Sequence, residues 1–129
     1  SGSSSGSGGS GSSGDAVGAA EMRAIREELR KRYDARWRAF ESRPAGAPID
    51  HADIPWPPVG MSLLAAEHGG AGADAMRAEM RRRYKSETMR WHPDKWQGKA
   101  LAPNSKEKIM ADVTNVFRRV DGEKQRAGL

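Results

Sequence analysis

Five of the seven prolines crowd into residues 43–72, where the densest run reads Pro55-Trp56-Pro57-Pro58. Proline fixes φ, lacks a backbone N–H and pushes the residue before it into extended backbone, so neither helix nor ladder is expected through this block. The chain is thereby cut into two helix-permissive parts. Before the block, Met22, Ile25, Leu29, Tyr33, Trp37 and Phe40 follow one another at intervals of 3, 4, 4, 4 and 3. That spacing draws a single apolar stripe on one long helix, predicted over 16–41 and stopped by Pro44. Glu27 and Lys31 add an i,i+4 pair in the favourable order.

After the block two more helices are predicted. The first spans 74–91 with Asp74 as its N-cap; Met76, Met80, Tyr84 and Trp91 lie along one face and Met89 on its flank. It ends at His92-Pro93-Asp94, and a basic, polar loop is expected to follow. Asn104 with Glu107 resembles a capping box for the second. Its stripe is Ile109, Val113, Val116, Phe117 and Val120, and Asp121-Gly122 is read as its end. A further helical turn or two is expected over 61–68. The fold class is therefore all-α: a long N-terminal helix over 15–42, a proline-rich connector over 43–72 and an antiparallel helical hairpin over 73–129.

Residues 1–14 are serine and glycine alone and read as a disordered linker or tag. The absence of cysteine excludes a disulfide framework, a thiol nucleophile and cysteine-ligated zinc. His51, His68 and His92 have no zinc-ligand spacing, and no phosphate loop, serine elbow or paired catalytic carboxylate stands out. Neither an enzyme, a metal nor a cofactor is expected. With 36% apolar and 30% charged residues and a mean hydropathy of -0.80, no run approaches the ~20 apolar residues of a membrane helix, and the expectation is a soluble intracellular protein with no membrane partner. The formal charge of +5 is uneven: 44–75 carries -4, whereas 76–108 carries +6. A basic helix face suits nucleic acid, an acidic protein surface or plain solvation.

The string Tyr84-Lys85-Ser86-Glu87-Thr88-Met89-Arg90-Trp91-His92-Pro93-Asp94-Lys95, followed by a helix carrying Phe117, resembles helices II and III of a J domain. That is the module by which co-chaperones stimulate the ATPase of the seventy-kilodalton heat-shock chaperone. The resemblance implies a hairpin with His92, Pro93 and Asp94 at its tip and a basic face of Arg81, Arg82, Lys85, Arg90 and Lys95. Two departures accompany it. No tyrosine-leucine-glycine segment or helix I precedes, and Glu87 stands where a J domain has a core leucine. Asp53-Ile54-Pro55-Trp56-Pro57 upstream of Arg90-Trp91-His92-Pro93-Asp94-Lys95-Trp96 resembles the C-terminal region of the NF-kappa-B inhibitor-like proteins. That resemblance covers 16–129 and implies a nuclear regulatory protein linked to pre-mRNA splicing or transcription.

The expected function is a non-enzymatic adaptor that binds a nuclear regulatory or splicing factor. A working co-chaperone and direct RNA binding through the basic helix are the alternatives. Two short helices bury too little apolar surface alone, so residues 54–59, anchored by Trp56, are expected to pack across the hairpin. The long helix is expected to project away, offering Ile25, Leu29, Tyr33, Trp37 and Phe40 to a partner.

Overall fold

The computed structural model describes residues 18–65 and 72–129. In chain order it contains α1 (Ala19–Glu41), a 3-10 turn (His51–Asp53), α2 (Ala73–Arg90), α3 (Pro93–Gln97) and α4 (Lys106–Ala127). The fold is all-α, with a long first helix and a bent helical hairpin. The serine-glycine leader and residues 66–71, including the end of the helix expected over 61–68, lie outside the described residues.

α2 and α4 run antiparallel: Tyr84 meets Asp121 and Lys124, whereas His92, later on α2's side, meets the earlier Phe117. Ile109, Val113 and Val120 are fully buried along the α4 stripe. α1 starts at Ala19 behind an extended Gly18 rather than at 16, and three further boundaries differ from the sequence expectation. α2 is preceded by Gly72 rather than capped by Asp74, which sits in the first turn, where a carboxylate favours the helix dipole. α4 begins after Ser105 with no side-chain cap, so Asn104 closes no capping box. It also continues through Gly122 to Ala127, and Gly128, at φ 76°, is the true terminator. Gly128 N–H donates to Gln125 O at 3.0 Å and Leu129 N–H to Lys124 O at 3.1 Å, the closing pattern a left-handed glycine permits. Glycine inside a helix costs only about 1 kcal/mol, and the contacts of Val120, Glu123 and Lys124 outweigh it.

α1 does not project away. Tyr33 and Trp37 are 2% and 5% exposed within the same chain's core, with Leu29 and Phe40 half-buried against it. The stripe expected to wait for a partner is therefore occupied internally along most of its length; Ile25, 54% exposed, and Met22, 45% exposed, remain outside. The reason lies in the hairpin. Trp91 and Trp96 are wholly buried, and each indole of 150–250 Å² needs more cover than α4's valines supply. Trp37 meets Trp91 edge-on at 5.3 Å, and Phe40 lies 6.3 Å from Trp96. Met76, by contrast, is 38% exposed although its spacing sets it on the same α2 face as Met80, Tyr84 and Trp91. Met80, one turn later, already borders a hollow with Gln125 and Ala127 at the end of α4, so Met76 overhangs it.

The connector is more structured than an extended crossing. Ile49 N–H donates to Ala100 O and Ala102 N–H to Ile49 O, both at 2.9 Å, forming an isolated parallel bridge from Ile49 to Leu101. Ile54 is 2% exposed and Trp56 half-buried across the hairpin, but Val59 is 96% exposed at a turn where Gly60 takes φ 91°. The cover resumes with Met61, Leu63 and Leu64, buried but not helical. A buried non-helical backbone must find other partners, and here charged side chains from three helices supply them. Arg30 of α1 donates to Leu63 O, Arg83 of α2 to Ala65 O and Arg119 of α4 to Met61 O. The Glu123 carboxylate accepts from the N–H groups of Leu63 and Leu64, each at 3.2 Å.

Candidate functional site

At the bend of the hairpin, Pro93 forces His92 into extended backbone (φ -66°, ψ 123°) and then occupies the first position of α3, where its missing N–H is not needed. His92 Nδ1 accepts from Asp94 N–H at 3.2 Å, capping the short helix. Its ring meets Phe117 of α4 edge-on at 5.5 Å. The side chains of His92 and Asp94 are otherwise exposed. The basic loop expected after the tripeptide is thus a helix at its start, and the helix has a use: it returns Trp96 to the core, where its indole N–H donates to Arg90 O at 2.7 Å.

The basic residues separate into two groups. Arg81, Arg82 and Lys85 on α2 and Lys95 on α3 are exposed, and none forms an ion pair among the described residues. Arg77, one turn before Arg81, extends that face. Arg90 does not belong to it. Its guanidinium lies 4.4 Å over the Trp37 ring and 3.8 Å from the Glu87 carboxylate, so a cation assigned to the outer face is engaged at the α1–α2 boundary. Desolvation beside an aromatic face makes such a contact worth more than an exposed one.

Glu87 is the unexpected member. It is 2% exposed, accepts from the Trp91 indole N–H at 3.2 Å and lies 3.8 Å from both Arg30 of α1 and Arg90. Burial pushes its carboxyl above the ordinary range, against the pull of Arg90, Arg30 and the Trp91 N–H. Burial and the neighbouring Glu87 raise the Tyr33 phenol as well. The sequence marked Glu87 only as a departure from the J-domain resemblance; its partner Arg30, 57 positions earlier, carried no local signal.

The rings form a column. Trp96 stacks on Trp91 at 5.8 Å and 8°, Trp91 on Trp56 at 5.2 Å and 20°, and Trp56 lies 4.9 Å from His51. The Trp56 indole N–H donates to His51 O at 2.8 Å, and His51 Nε2 pairs with Asp112 of α4. Trp56 therefore joins the connector to the hairpin. Among the described residues no group of histidine, cysteine or acidic side chains is arranged to hold a metal. What the arrangement offers chemically is an exposed histidine-aspartate corner on a buried aromatic base, flanked by exposed cations that form no ion pair among the described residues. Among the described residues no helix is long and apolar enough to cross a membrane. No protein-family model, curated protein or solved structure matches the chain.

Proposed function

We propose that this chain is a non-enzymatic protein-binding adaptor of the kind the NF-kappa-B inhibitor-like resemblance implies, acting in a nuclear regulatory or splicing setting. Its partner docks on the His92-Pro93-Asp94 corner and the adjoining face of α2. One observation carries this reading. Across the bend, Trp91 and Trp96 are buried and Arg90 is tied to Glu87 and Trp37, while Arg81, Arg82, Lys85, His92, Asp94 and Lys95 stay exposed. Unpaired cations on a rigid surface steer and orient an acidic partner. The test is retrieval from nuclear extract by the wild-type chain and by an Arg81→Glu, Arg82→Glu, Lys85→Glu variant. A partner held by the wild type and lost by an equally folded variant is expected; identical retrieval overturns the reading.

The exposure of the His92 and Asp94 side chains favours one second reading, stimulation of the seventy-kilodalton chaperone ATPase. Stimulation by the wild type that His92→Gln abolishes would establish it, and no stimulation by the wild type would remove it. Direct RNA binding draws less support, because Trp91 and Trp96 are fully buried and offer no stacking platform beside the basic face.

A further inference from the structure

A second surface lies away from the bend, where α1 passes the proline-rich connector. There a hollow of about 480 Å³ opens between Leu29, Arg32, Tyr33 and Arg36 of α1 and Trp56 and Pro58 of the connector. Leu29, Trp56 and Pro58 are half-buried, so the floor is apolar and held by the core behind it. The rim is cationic. Arg32 and Arg36 are one helical turn apart and exposed, and neither forms an ion pair among the described residues. This sets them apart from Arg30, Arg43, Arg83 and Arg90, each of which has a carboxylate within the chain.

We propose that this hollow is a docking site for an acidic peptide segment, whose carboxylates bind Arg32 and Arg36 while an aliphatic side chain seats against Leu29, Trp56 and Pro58. Charge complementarity selects the occupant: guanidinium forks pair with carboxylates in bidentate fashion, and two of them one turn apart match acidic residues along one segment. The aromatic lining argues against nucleic acid. A base would need free π surface, but Trp56 already stacks with Trp91 at 5.2 Å and lies 4.9 Å from His51, and Tyr33 is 2% exposed. The site shares no residue with the His92–Asp94 corner or the basic face of α2, so it stands independently of the function proposed above.

Fluorescence anisotropy of the full chain with a labelled, glutamate-rich peptide containing a central leucine tests the proposal. Saturable binding is expected, weakened about tenfold or more by Arg32→Glu with Arg36→Glu at an unchanged melting temperature. The peptide with glutamine in place of glutamate, or serine in place of leucine, should bind more weakly. Arg38→Glu, an exposed α1 position outside the hollow, and His92→Gln should leave binding as it was. The proposal is overturned if the peptide does not bind, if the glutamine peptide binds equally, or if Arg38→Glu weakens binding as much. It is also overturned if oligouridylate binds through Arg32 and Arg36 in the peptide's stead, or if sedimentation shows a second copy of the chain held by those arginines.

Discussion

Glu87 holds a carboxyl group where solvent does not reach, between an arginine of another helix and an indole of its own. Because its native pKa is raised, the folded chain holds this proton more tightly than the unfolded chain does. Its contribution to stability is therefore most favourable at low pH and declines as pH rises from the ordinary carboxylate value to the raised native one. Glu87→Gln keeps an acceptor for the Trp91 N–H and removes that decline. The urea midpoint of Glu87→Gln relative to wild type should thus rise with pH across that window and then level; a flat or falling difference would contradict the burial argument. Arg30→Ala removes one of the two cations beside the carboxylate and also the donor to Leu63 O. At a pH above the raised native value, where Glu87 is ionised, it should destabilise by roughly 2–4 kcal/mol, since breaking a buried pair strands its partner. In the Glu87→Gln background the loss should shrink, which a double-mutant cycle in urea would read.

At the scale of elements, α4 owes its final turns to contacts that its own sequence does not advertise. Gly122 lies inside the helix, five residues before its end, with nothing within 4 Å of where a Cβ would stand. Gly122→Ala should therefore stabilise the chain by roughly 0.5–1 kcal/mol, seen as a higher thermal midpoint. The next residue acts in the opposite sense. Glu123→Ala leaves the N–H groups of Leu63 and Leu64, in a buried segment without helix or ladder, without their acceptor. A loss of about 1–3 kcal/mol is expected, with faster hydrogen exchange at those two amides as the local readout. An unchanged exchange rate would mean that this carboxylate does not hold the segment.

Across the whole molecule, the aromatic column couples α1, the connector and the hairpin into one core, so damage to any of the three should be felt by all. Trp37→Ala and Trp56→Ala each remove a ring packed on Trp91. Both should lower stability by about 3–5 kcal/mol, the Trp56 variant at the lower end because that ring is only half-buried. Both should also retain a single cooperative transition in denaturant. A melting curve indifferent to Trp37→Ala would mean that α1 is not part of the core. Such indifference is what a projecting, partner-facing helix would give, so the measurement separates the two arrangements directly.

Helical periodicity and proline placement are local properties, and each was enough to determine its part of the outcome. The spacing from Met22 to Phe40 makes α1, Pro44 ends it, Pro93 bends the hairpin, and the Ile109–Val120 stripe buries α4. The tripeptide His92-Pro93-Asp94 was legible for the same reason, since its cap and bend involve neighbours in the chain. Tertiary structure decided what those elements face. A stripe states that a helix has an apolar side but not whether a partner or its own chain covers it; two buried indoles on the hairpin drew α1 inward. The same holds for charge. Arg81 and Arg90 are equivalent in composition, yet one remains on the surface and the other is held between Trp37 and Glu87. Pairings such as Arg30 with Glu87, His51 with Asp112 and Glu123 with the Leu63 and Leu64 amides span long stretches of chain. They depend on distances created only by packing, which no spacing along the sequence encodes.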